Sequence, residues 1–157
     1  MTAENPGTLI ITRRFDFAIE RVFDAWLDPA KAGEFLFVTP TGTMVRVAID
    51  ARVGGAFSII RRDGEDVEHV GTYLEIDRPR RLVFTFGVPK FSAEMTRVTI
   101  ELKPLPTGCE LTLTNEGVPP EWLESTREGW GNILDGLAAH LAKDAAAWPS
   151  PAPGRSS

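Results

Sequence analysis

The sequence predicts an α+β fold: a curved antiparallel sheet of about seven strands wrapped around a long C-terminal helix, with two short helices after the first strand. Three observations carry this reading. Successive segments in the middle of the chain alternate apolar and polar residues and are separated by turn sequences. After residue 120 an apolar stripe recurs at helical spacing, interrupted by glycines. Ahead of both, one strand-like segment precedes a pair of brief helical ones.

Leu9, Ile11 and Phe15 alternate with polar neighbours, so residues 8–15 read as a half-buried strand whose inward parity Arg13 shares. From Ile19 onward Val22, Phe23, Trp26 and Leu27 recur at three and four residues, the period of a helix. Asp28 then offers an N-cap, and Pro29 a first-turn proline, for a second short helix ending near Phe35. Strands are expected over 44–50, 56–62, 67–77, 81–88, 95–103 and 109–115, divided by turns such as Arg62-Asp63-Gly64 and Pro106-Thr107-Gly108. Gly54-Gly55 reads as a bulge or tight turn before a strand.

Alternation assigns a buried face to Leu82, Phe84 and Phe86, to Val98, Ile100 and Leu102, and to Leu111 and Leu113. The segment 67–77 is ambiguous. His69, Gly71, Tyr73 and Glu75 share one parity, Val70, Leu74 and Ile76 the other, and either set could face inward. The last helix is expected from about Pro120 to Ala147, with the capping-box pattern at 125–128 marking a second start or a kink. Leu123, Thr126, Trp130, Leu134, Leu137 and Leu141 form its apolar stripe. Gly129, Gly131 and Gly136 each weaken a helix by about 1 kcal/mol relative to alanine. Gly129 and Gly136 flank the stripe beside Trp122 and His140, which points to close backbone approach or to room for a ligand.

One domain is expected over 8–147, with disordered ends at 1–7 and 148–157, the latter rich in proline and serine. Seventeen basic against twenty-two acidic residues give a net charge of −5, which argues against a broad surface for nucleic acid or anionic membranes. Cys109 is the single cysteine, so neither an internal disulfide nor a four-thiolate zinc site can form. The start of the chain lacks the pattern of a signal peptide, and a cytoplasmic location is expected. Histidines and cysteine lack metal-ligand spacing, and phosphate-cradling or nucleophile-elbow motifs are missing, so neither metal nor cofactor is expected.

Four motifs in order resemble a known family. Residues 21–29 (Arg-Val-Phe-Asp-Ala-Trp-Leu-Asp-Pro), Gly54-Gly55 before Ala56-Phe57, the block 71–86 from Gly71-Thr72-Tyr73 to Thr85-Phe86, and Gly129-Trp130 followed by Leu134 and Leu137 are similar to the Hsp90-ATPase-activator-homologue branch of the START-like (SRPBCC) superfamily, in its small stand-alone bacterial form. The resemblance covers about 8–142. It implies a helix-grip (Bet v 1-like) fold with an apolar cavity between concave sheet and long helix. Where the branch usually carries a tryptophan and a Gly-Pro after the second helix, residues 35–40 read Phe-Leu-Phe-Val-Thr-Pro, so a differently shaped cavity mouth is expected.

The leading expectation is binding of a hydrophobic or aromatic small molecule between sheet and helix, without established catalysis. Its candidate walls are Phe57, Ile59, Tyr73, Phe84, Phe86 and Met95 from the strands, Trp26 and Phe35 from the short helices, and Trp130, Leu134 and Leu137 from the long one. A second expectation is an enzyme of cyclase or hydrolase type in which Arg61, His69, Tyr73 and Glu75 converge on one void as acid, base or anion holder. The third, implied by the resemblance, is a protein-interaction module that stimulates an Hsp90-type chaperone ATPase. The chain is expected to act as a monomer or a homodimer.

Overall fold

The computed structural model describes residues 7–37, 42–91 and 94–147, with side chains up to residue 143. The expected disordered ends fall almost wholly outside these residues. Gly7 does not: its carbonyl accepts a 2.9 Å hydrogen bond from the Val118 N–H.

The chain runs β1 (Leu9–Phe15), α1 (Ile19–Ala25), α2 (Pro29–Phe35), β2 (Thr43–Ile49), β3 (Ala56–Asp63), β4 (Glu65–Asp77), β5 (Arg81–Phe86), β6 (Thr96–Pro104), β7 (Cys109–Glu116), a 3₁₀ turn (Pro120–Trp122) and α3 (Leu123–Ala147). The strands form one antiparallel sheet in the order β1-β7-β6-β5-β4-β3-β2, so the chain meanders and the first strand closes onto the last. The sheet curves around α3, as the alternation requires. The Asp28 side chain caps α2 by accepting from the Ala30 N–H at 3.0 Å, with Pro29 in the first turn.

The concave face carries Leu9, Ile11 and Phe15 of β1, Leu111 and Leu113 of β7, Val98 and Ile100 of β6, and Leu82 and Phe84 of β5, all buried. Against them α3 lays Trp130, Ile133, Leu134, Leu137 and Leu141. Each of these side chains recovers about 1.5–3 kcal/mol on leaving water, which is why period-two and period-3.6 patterns converge on one core.

β4 settles its own ambiguity by a bulge. The register with β5 shifts between Tyr73 and Glu75, so Leu74 becomes the extra residue and is 44% exposed. His69, Gly71 and Tyr73 point inward before the bulge, and Ile76, packed against the core, takes over after it. Glu75 therefore leaves the inward set. It lies with Arg81 at 3.1 Å, and Arg81 also reaches Glu101 at 2.6 Å.

The capping-box pattern does not begin a helix. Trp122 N–H donates to the Pro119 carbonyl, the 3₁₀ turn leads directly into α3, and the Ser125 hydroxyl donates backwards to the Trp122 carbonyl at 3.1 Å. Gly136 meets the expected close approach, since a Cβ there would lie 3.4 Å from Phe35 Cβ. Gly129 does not, because nothing lies within 4 Å of such a Cβ. Among the described residues no helix is long and apolar enough to cross a membrane.

Candidate functional site

The inward polar residues of β4 are buried in packed surroundings. His69 Nδ1 lies 3.3 Å from the Ile59 carbonyl, which can only accept, so this nitrogen carries the proton. Burial pushes the imidazole down to about 4; the Ile59 carbonyl partly opposes this and the nearby Arg61 charge adds to it. His69 is consequently neutral at physiological pH. Burial, with a smaller contribution from the Asp50 charge, holds the Tyr73 hydroxyl well above its ordinary range.

The ring of Phe37 lies beside His69, with 4.2 Å between centroids and 9° between planes, and it stacks on Phe86 at 5.2 Å. The Trp130 indole meets both phenyl rings edge-on. Phe37 sits at φ 59°, a left-handed conformation that non-glycine residues rarely adopt. It belongs to the stretch that departs from the family pattern, and it brings an aromatic ring into the space between sheet and helix. Residues 38–41 lie outside the described part of the chain.

Most of the expected cavity wall is core. Ile59 and Leu137 have no accessible surface, Leu134 has 1%, and Trp26, Phe35 and Trp130 have 2%, so among the described residues these side chains are packed rather than exposed to an open space. Phe57, Tyr73 and Phe84 pack on one another with ring centroids 5.6–6.2 Å apart. The Phe57 ring also lies over Gly71, where a Cβ would collide with it.

A cavity of about 160 Å³ lies instead at one end of the grip, where α3 begins. Phe86, Gly87 and Val88 form one wall at the end of β5. Thr96 and Asn115 form the floor, and Val118, Pro119, Trp122 and Thr126 close the far side. At the mouth, Phe91 is 63% and Trp122 is 42% exposed, and these rings continue with Thr126 into a shallower depression outside. Of the expected wall residues Phe86 lines this cavity. Met95 is 44% exposed beside it, with its sulfur against Gly87.

The floor is held by Asn115, which is fully buried. Its Oδ1 accepts from Trp130 Nε1 at 2.9 Å, and its Nδ2 donates to Thr96 Oγ1 at 3.0 Å and to the Arg97 carbonyl at 3.1 Å. The Thr96 hydroxyl donates in turn to the Phe86 carbonyl at 3.2 Å. These groups are satisfied within the protein, and they fix the walls. Asn115 went unread in the sequence, although it continues the inward parity of Leu111 and Leu113. Trp122 stood out only as a flank residue, and nothing in the pattern joined it to Phe91.

The four polar candidates for catalysis do not share this cavity. Glu75 is turned away by the bulge. Arg61 Nη1 lies 3.8 Å from Asp63, and four residues of strand, about 13 Å, separate His69 from Tyr73. Among the described residues no group of three or more His, Cys, Asp or Glu side chains is placed to hold a metal ion.

The family model described as Activator of Hsp90 ATPase homolog 1-like protein matches residues 16–142. Among solved structures, protein CV1439 from Chromobacterium violaceum is 30% identical with a TM-score of 0.77, covering 86% of this chain and 96% of its own. The AHSA1-like protein from Aeromonas hydrophila is 20% identical with a TM-score of 0.76, over 88% of this chain and 94% of its own. Protein SA2116 from Staphylococcus aureus, of unknown function, is 15% identical with a TM-score of 0.80, over 88% and 95%. The last two show likeness of fold alone. No curated protein matches the chain.

Proposed function

The chain belongs to the Activator of Hsp90 ATPase homolog 1-like family, within the START-like superfamily, and from that premise we propose that it binds a small apolar or aromatic molecule in the cavity at the start of α3. The observation that carries the proposal is the cavity itself: about 160 Å³, walled by Phe86, Val88, Val118 and Pro119, with polar floor groups already satisfied internally. A dry apolar void of about 150 Å³ accepts benzene, so the space suits a single ring. The exposed Phe91 and Trp122 at the mouth extend the apolar surface toward an entering molecule.

Calorimetric titration with benzyl alcohol tests this. The wild-type chain is expected to bind it saturably, and Thr126→Leu, which puts a larger apolar side chain into the void, to weaken binding at least about tenfold while keeping the fold. Equal binding by both proteins would remove the cavity from the account. Stimulation of an Hsp90-type ATPase is a second reading, favoured by the family description. Unchanged ATP hydrolysis by a purified bacterial Hsp90 on adding the chain would end it.

The catalytic reading has less support. It needs at least two of Arg61, His69, Tyr73 and Glu75 around one void, and none of them lines a described cavity.

A further inference from the structure

We infer that the crossing of β1 and α3 holds a second site, separate from the cavity above, that takes a small oxyanion, a carboxylate or a phosphate group. A depression of about 270 Å³ lies there, lined among the described residues by Ile10, Ile11, Thr12, Arg13 and Arg127. Both charged side chains of that lining are guanidinium groups.

Arg13 reaches this place through its parity. It alternates on β1 with Leu9 and Ile11 and so lies on the side that α3 covers, and Gly131 leaves it room: a Cβ at that glycine would stand 3.4 Å from Arg13 Nη2. Arg127 lies one turn before Gly131 on the same face of α3, so two like charges meet beside one strand.

The edge of β1 completes the set. Arg127 Nη1 donates to the Ile10 carbonyl at 3.2 Å and Arg13 Nη1 to the Thr12 carbonyl at 3.3 Å. These carbonyls point away from β7, and in an antiparallel pair the N–H of a residue points to the same side as its carbonyl. The Ile10 and Thr12 N–H groups are therefore turned outward, along the edge that β1 forms in the sheet. The carbonyls that a pairing strand would need already carry guanidinium groups, which guards this edge against another strand. What it offers is donors: two backbone N–H groups, the Thr12 hydroxyl and the remaining N–H groups of two arginines, whose fork matches carboxylate and phosphate oxygens.

Charge sets the sign of the ligand, because neutral carbonyls leave the guanidinium charges standing. Asp135 lies 3.7 Å from Arg13 Nε, longer than a hydrogen bond, and its side chain is 72% exposed, so it compensates Arg13 only in part. Glu124, three residues before Arg127, opposes the site as well, and so does the net charge of −5. Ile11, buried behind the arginines, lowers the local dielectric and favours a contact inside the depression over one on the open surface.

Inorganic phosphate and, separately, succinate, titrated into the isotope-labelled full chain at pH 7 and constant ionic strength, test the inference. Saturable amide shifts centred on Ile10, Thr12 and Arg13 are expected. Arg127→Gln is expected to weaken binding about fivefold, and Asp135→Asn, which removes the competitor of the ligand at Arg13, to strengthen it about twofold, a gain that no folding defect produces. The same changes of charge in Lys143→Gln, about 24 Å along α3 from Arg127, and in Glu34→Gln, whose carboxylate lies 3.3 Å from Lys143, are expected to leave binding unchanged.

Saturation by phosphate alone identifies a phosphate site, by succinate alone a carboxylate site, and by both a general oxyanion site; each supports the inference. Shifts that do not saturate, or that scatter over the surface, overturn it. So do equal binding by Arg127→Gln and the wild type, or an equal loss in Lys143→Gln. Unchanged binding by Asp135→Asn overturns the part given to Arg13.

Discussion

At the level of single residues, the inward face of β4 shows what a sequence can and cannot disclose. Parity alone grouped Glu75 with His69 and Tyr73, and a bulge at Leu74 separated them. Bulges depend on the hydrogen-bond register with the neighbouring strand, which no local pattern in β4 reports. Burial of His69, by contrast, has a measurable consequence. The folded imidazole titrates near 4 and the unfolded one near 6.5. Above 6.5 both states are neutral and the contribution is fully present. As pH falls from there toward 4, the unfolded chain takes up a proton that the folded chain refuses, and about 2–3 kcal/mol of stability is lost. Urea unfolding at pH 7.5 and pH 4.5 should therefore show a larger drop for the wild type than for His69→Leu, by about that amount. Equal drops would mean that His69 is not held neutral by its surroundings.

At the level of elements, β1, β5, β6, β7 and α3 were legible because each carries a period that matches the face it buries, whereas α2 was read from its cap and β4 had an ambiguous parity. Boundaries moved by a residue or two where turns, rather than periodicity, decide them. The pattern at 125–128 misled for a physical reason: Pro119 and Pro120 had already started the helical chain as a 3₁₀ turn, so the Ser125 hydroxyl had no exposed helix start to cap. The glycines of α3 divide in the same way. Gly136 lies against Phe35, whereas Gly129 is exposed and has open space where a Cβ would sit. Gly129→Ala should thus stabilise the fold by about 1 kcal/mol, raising the thermal midpoint by roughly 2–4 °C. A midpoint that stays or falls would show that position 129 serves something other than helix formation.

At the level of the whole molecule, the grip of sheet on helix was readable and the position of the void was not. Core and cavity wall use the same residue types, and which of them leave space depends on how side chains fit together. Here Phe37 stacks on His69 and Phe86, the Trp130 indole meets Phe37 and Phe86 edge-on, Ile59 and Leu134 are buried, and among the described residues a cavity lies beside the end of β5 and the start of α3. That relocation is the central claim. Amide chemical shifts of the labelled protein during titration with benzyl alcohol test it most directly. Shifts concentrated at Gly87, Thr96, Gly117, Val118 and Thr126 are the predicted result; shifts centred on Ile59, Tyr73 and Leu134, or none at saturating probe, would contradict it.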